Sequence, residues 1–164
     1  MNNLNLMKKF DYLSGKKHFD DPNMINGFYV ESDTDNLTVQ FLRKQVMIAV
    51  VESEMRYGYD YWFNTDLEVE AYNEIFPNNC HLYIKGFHVN KEFRNKGIGS
   101  KTIQRYFKEY SKSEFANYPI VLHAIPEQNT VTQSELIEIY KHFGFQVING
   151  NLLVLTPIDL SDLK

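Results

Sequence analysis

Six residues near the middle of this chain, Arg94-Asn95-Lys96-Gly97-Ile98-Gly99, have the spacing R-x-x-G-x-G and lead through Ser100 into an amphipathic run. Glycines at a helix start let the backbone approach a ligand closely. The first-turn N–H groups and the positive end of the helix dipole then favour an anion, typically phosphate. Arg94, Lys96 and Lys101 add cationic charge within the same few residues. Together these features predict a pyrophosphate cradle. A Walker loop fits less well, because Gly99-Ser100-Lys101-Thr102 places the lysine one position late. A dinucleotide fingerprint also fits less well, because Thr102 stands where a third glycine or alanine is needed.

The strand that leads into this turn must aim it. Leu82 and Ile84 share one face by alternation, whereas Phe87 and Val89 fall on the opposite parity. A change of parity implies one extra residue, and Gly86 sits where it occurs, so a β-bulge is expected there. A bulge would release backbone groups near Phe87, His88 and Val89 for an extended, amide-bearing ligand. An edge strand without a bulge, with Tyr83 also buried, is the alternative.

Further elements frame this unit. Residues 4 to 13 could form a short helix, and 20 to 26 read as a connection. Gly27 to Glu31, Leu37 to Leu42 and Val46 to Val51 read as strands, and Tyr57 to Phe63 as a strand or a loop. Thr65-Asp66-Leu67-Glu68 is a capping box that predicts a helix over 66–76, stopped by Pro77. After the glycine turn, Ile103, Tyr106, Phe107 and Tyr110 form a helical stripe, with Lys101, Arg105 and Lys108 outside. Pro119 to Ile125 is apolar except for His123, as expected of a central strand covered on both faces. Strand, helix and strand then predict a parallel crossover. Thr132-Gln133-Ser134-Glu135 opens a second capped helix that Gly144 ends. Asn149-Gly150 predicts a type I′ hairpin between Phe145–Ile148 and Leu152–Leu155.

With these elements in view, VNKEFRNKGIGSKTI resembles the central motif of the GNAT family, the acyl-CoA-dependent N-acetyltransferases. ELIEIYKHFGF, with Tyr140, Gly144 and Phe145, resembles that family's late helix. The likeness covers about residues 80 to 156. Its second half also resembles small phage-type members, among them an anti-CRISPR acetyltransferase. The resemblance implies a single α/β domain over 1–164, with a mixed twisted sheet flanked by helices and a bulged strand before the cofactor turn. The N-terminal helical part is shorter than the family's, and the 66–76 helix is an insertion in a region where relatives build the acceptor wall.

The resemblance also implies site residues. The backbone at Phe87, His88 and Val89 would hold the pantetheine arm, with the Val89 N–H toward the acyl oxygen. Arg94, Asn95, Lys96, Gly97, Ile98, Gly99 and Ser100 would bind the pyrophosphate of acetyl-CoA. Tyr140 stands where the family often has the tyrosine that protonates the leaving thiolate. A phenol is suited to that task, although Leu136, Tyr140 and Phe143, with Ile139 beside them, also read as a core stripe. His123 falls near the place of a general-base carboxylate in some members. It equally fits a hydrogen-bonded packing residue. Relatives often bind the cofactor with an asparagine seven residues before the tyrosine; this chain has Gln133 there and Asn129 further back.

Composition bounds the remaining choices. The 164 residues suffice for one core, and a single cysteine, Cys80, excludes an internal disulfide and fits a reducing compartment. The polar N-terminus does not resemble a signal peptide and no apolar run approaches a membrane span, so a cytoplasmic protein without membrane contact is expected. A net charge of −4 argues against general nucleic-acid binding. The histidines and Cys80 lack metal-ligand spacing, so no metal is expected. Seven acids against one base between Glu52 and Glu74, beside the basic turn, would suit a cationic acceptor meeting an anionic co-substrate. That acceptor is an amine, either a small molecule or a protein lysine or N-terminus. The alternative is a module that binds CoA without turnover, and homodimerisation stays open.

Overall fold

The computed structural model describes residues 26–44, 46–58, 76, 80–127 and 131–157. The expected 4–13 helix, the capping box at Thr65, the 66–75 part of the next helix, the Tyr59–Phe63 stretch and Asn129 lie outside the described residues. Among the described residues, seven strands form one mixed sheet in the order β1-β2-β3-β4-β5-β7-β6. They are β1 (Asn26–Ser32), β2 (Asn36–Arg43), β3 (Val46–Tyr57), β4 (Cys80–Val89), β5 (Ile120–His123), β6 (Gln146–Asn149) and β7 (Leu152–Leu155). Two helices belong to the described residues, α1 (Ile98–Lys112) and α2 (Gln133–His142). No helix among them is long and apolar enough to cross a membrane.

Two compact units divide the chain, Met1–Glu52 with Gly86–Ser113 and Ser53–Lys85 with Glu114–Lys164. In the first, β1 pairs antiparallel with β2 from Asn26↔Arg43 to Ser32↔Leu37. Asp33 closes the turn by accepting from the N–H groups of Asp35 and Asn36 at 2.8 and 2.9 Å. Helix α1 buries Ile103, Tyr106 and Tyr110 of the stripe its periodicity predicts, leaves Phe107 half-buried, and also buries Thr102, which that stripe did not include.

In the second unit β4 pairs parallel with β5, Leu82 opposite Ile120 and Tyr83 opposite Val121, as the crossover reading expects. Ile120, Val121 and Leu122 are buried, consistent with an apolar run covered on both faces. Phe76 packs with Val121, Leu152 and Val154. Thr132 caps α2 in both directions, its hydroxyl accepting from the Glu135 N–H while the Glu135 carboxylate accepts from the Thr132 N–H. Gly144 follows with φ +96°, the left-handed residue expected past a helix end.

Three expectations need correction. Strand β3 does not stop at Val51 but runs to Tyr57. Its continuation, Glu52-Ser53-Glu54-Met55-Arg56, buries Ser53 between half-buried Glu52 and Glu54 but lacks the apolar run that marks 46–51 as a strand. The hairpin turn is not Asn149-Gly150. Asn149 pairs with Leu152, so the loop is Gly150-Asn151, and a register shift between Val147 and Asn149 makes Ile148 the extra residue. Gly150 has φ +55° and Asn151 is not among the positive-φ residues, a pattern that suits type II′ rather than I′. Ile139, expected beside the core stripe of α2, is 41% exposed, and Tyr140 alone in that helix is buried.

Candidate functional site

In the first unit, the glycine turn is built from two left-handed residues. Asn95 has φ +61° and Gly97 has φ +74°, and Gly97 is the N-cap of α1. The first bond of the helix runs from the Lys101 N–H to the Gly97 carbonyl at 3.1 Å. The N–H groups of Ile98, Gly99 and Ser100 therefore precede the intrahelical ladder. No side chain caps this end and its first turn carries no acid. Such an end is electrostatically arranged for an anion.

The side chains around the turn play unequal parts. Arg94 donates from Nε to the Val89 carbonyl at 2.9 Å, tying the turn to the end of β4. Lys96 lies with its ammonium 5.6 Å from the centre of the Phe93 ring, and the Arg43 guanidinium lies 5.9 Å from the same ring. Arg43 is a cation the sequence reading missed, because it ends a strand 51 positions before Arg94. Gly99 has a packing role that its motif does not announce. A Cβ there would meet Val89 Cγ2 at 3.3 Å and Phe87 Cζ at 3.5 Å, so this glycine seats the helix start on β4. At Gly97 a Cβ would meet nothing within 4 Å, and its positive φ is what calls for glycine.

The same contacts locate the irregularity in β4. Phe87 and Val89 face Gly99 together. On β3, alternation places Glu52, Glu54 and Arg56 on one face. Tyr83 and Lys85 address that row, with Arg56 Cζ 3.9 Å from the centre of the Tyr83 ring and Lys85 Nζ 3.5 Å from Glu54. Gly86 addresses it too, since a Cβ there would lie 3.2 Å from Glu52 Oε2. Two consecutive residues, Lys85 and Gly86, thus share a face, which is the signature of an inserted residue and agrees with the parity reading.

In the second unit, β3, β4 and β5 bring together a row that no motif announces. Glu54 accepts from Arg56 Nε at 2.9 Å and from its Nη2 at 2.7 Å. Arg56 covers Tyr83, and Tyr83 Oη lies 3.4 Å from His123 Nδ1 with the rings edge-on at 6.1 Å. Burial and the positive charge of Arg56 lower the pKa of His123, which favours its neutral, proton-accepting form. Glu54 is held below the usual carboxylate range by its bond from Arg56.

Among the other residues marked out by sequence, Tyr140 is 7% exposed and its ring meets Phe145 edge-on at 5.7 Å. Burial pushes its phenol up to about 12, so the hydroxyl stays protonated and able to donate. Gln133 donates to the Ala124 carbonyl at 3.2 Å, fixing the start of α2 to the end of β5. His81, which the sequence reading passed over except as a metal ligand, is fully buried, and burial followed by the Arg56 charge lowers its pKa to about 4.

Comparison with known proteins places these features in context. The model of the acetyltransferase (GNAT) family matches residues 61–145, more than half of the chain. No curated protein matches the sequence. Solved structures resemble the fold at low identity. A tyrosine-to-phenylalanine variant of KacT aligns with 79% of this chain and 75% of its own at 11% identity and a TM-score of 0.53. A tyrosine-to-phenylalanine variant of the toxin AtaT, bound to the C-terminus of the antitoxin AtaR and acetyl-CoA, aligns over 78% and 71% at 10% identity and a TM-score of 0.52. Arabidopsis thaliana NAA60 in complex with a bisubstrate analogue aligns over 74% and 75% at 18% identity and a TM-score of 0.50.

Proposed function

This chain belongs to the acetyltransferase (GNAT) family, and on that premise we propose that it transfers an acetyl group from acetyl-CoA directly to a primary amine. The observation that carries the reading is the start of α1, uncapped, free of acids and set behind a bulged strand. The N–H groups of Ile98, Gly99 and Ser100, with Lys96, would bind the pyrophosphate. The backbone from Phe87 to Val89 would hold the pantetheine arm as an added strand. The complexes of AtaT with acetyl-CoA and of NAA60 with a bisubstrate analogue support acetyl-CoA as the co-substrate here.

In this reading the protein supplies proton transfer and polarisation, and no covalent intermediate on the chain is required. The amine nitrogen attacks the thioester carbonyl carbon, with the acyl oxygen on the Val89 N–H. His123, kept neutral by its lowered pKa, is available to accept the ammonium proton. As the C–S bond breaks, the electron pair leaves with sulfur and Tyr140 gives the thiolate its proton. The products are an N-acetyl amine and CoA. The acceptor is a small amine or a protein lysine or N-terminus. Among the acids of the 52–74 stretch, Glu54 is bound by Arg56 and Lys85, which lessens the support for an acidic groove that takes a strongly cationic acceptor.

The test is mass spectrometry of libraries of small amines and peptides incubated with acetyl-CoA and the protein. A gain of one acetyl group on a defined nitrogen, dependent on the protein, is expected. CoA binding without transfer to any acceptor would favour the second reading, a CoA-binding module of the same fold. Absence of CoA binding would overturn both.

A further inference from the structure

We propose that Arg56, seated on the Tyr83 ring and held there by Glu54, is a positioning residue for the Tyr83–His123 pair. The inference deepens the assignment of His123 as the base and rests on it. Four side chains form a continuous line across three strands. Glu54 receives two bonds from Arg56, at 2.9 and 2.7 Å, through a single carboxylate oxygen. Arg56 lies 3.9 Å from the centre of the Tyr83 ring, and Tyr83 Oη lies 3.4 Å from His123 Nδ1. The Arg56 side chain is 29% exposed and that of Glu54 31%, so solvent screens this line only in part.

Geometry assigns each group a task. A planar guanidinium stacks on an aromatic face and keeps its in-plane donors for a carboxylate, which an ammonium cannot do in the same way. Glu54 thereby fixes Arg56, and Arg56 fixes the plane of Tyr83. Tyr83 in turn meets one nitrogen of His123, and the partner of one ring nitrogen decides what the other can do. The cation beside the pair also opposes a second positive charge on the imidazole, which keeps the base form available. Among the described residues, the charged groups along this line are Glu54 and Arg56 from β3 and Lys85 from β4, and the buried His81 lies two positions before Tyr83 on β4. β7 places apolar Leu152 opposite His123.

The test is an NMR titration of the His123 imidazole in the full chain, assigned with His123→Gln. Arg56→Gln should raise the His123 pKa by roughly 0.3–1 unit, the effect of removing a nearby charge in a partly screened setting. Arg56→Lys keeps the charge but not the planar stack over Tyr83 with in-plane donors to Glu54. A positioning role therefore predicts a changed His123 titration there as well, whereas the parent's value in Arg56→Lys overturns it. An unchanged pKa in Arg56→Gln, or a fall in melting temperature without any change in the titration, also overturns the proposal. The acid limb of the transfer rate should follow the same shifts. Loss of transfer in His123→Gln reads the base assignment separately. If transfer survives there while the titration shifts as expected, the positioning role stands and the base assignment falls.

Discussion

At the scale of single residues, the protonation states are set by which groups lie near one another. Tyr140 is protonated and buried, and Tyr140→Phe keeps the ring that meets Phe145 while deleting the hydroxyl. If that hydroxyl protonates the thiolate, kcat should fall by about 10²–10⁴-fold, while the affinity for acetyl-CoA changes little. Steady-state rates and a melting curve on the same variant check this, and unchanged turnover with lower stability would make Tyr140 a core residue. His81 gives a prediction about stability alone. Its folded pKa of about 4 lies below the ordinary value of 6.5, so between those limits the unfolded chain binds the extra proton. Stability should therefore be full above pH 6.5 and decline as pH falls toward 4, by about 3 kcal/mol for a group so fully buried. Urea unfolding at a series of pH values reads the slope, and His81→Leu should remove most of it.

At the scale of elements, the strand–turn–helix unit separates folding from binding. Ser100 is exposed in the first turn of α1, where an acid is favoured by the helix dipole. Ser100→Asp should raise stability by about 0.3–1 kcal/mol and yet weaken acetyl-CoA binding tenfold or more, because the same end would receive the pyrophosphate. Calorimetric titration and a melting curve test both halves. Gly99→Val should behave differently. Its branched Cβ would press on Val89 and Phe87, so stability should fall by about 1–3 kcal/mol, and binding should suffer through displacement of α1 from β4. A Gly99→Val protein with the parent's melting temperature would show that the two side chains yield freely. The sequence marks this glycine as required; the close packing behind it supplies the reason.

At the scale of the whole chain, coenzyme A and acetyl-CoA should raise the melting temperature much more than NAD or ATP. A ligand that binds only the native state stabilises it by about 2.7 kcal/mol at 100-fold over its dissociation constant. No shift at millimolar CoA would remove the acetyltransferase reading. What the sequence determined by itself was contiguous. The R-x-x-G-x-G turn, the Thr132–Glu135 capping box, the buried run of β5 and the parity change at Gly86 are each written within about ten neighbouring residues, where backbone periodicity and capping act. Tertiary structure decided whatever depends on which strands lie side by side. Tyr83 and His123 are 40 positions apart, and the line from Glu54 through Arg56 to both exists only because β3, β4 and β5 are neighbours in the sheet. Alternation along a strand tells which face a residue takes but not what stands opposite it. Hydrogen bonds and ion pairs are short-ranged, so the chemistry of that face is fixed only when the pairing of strands is.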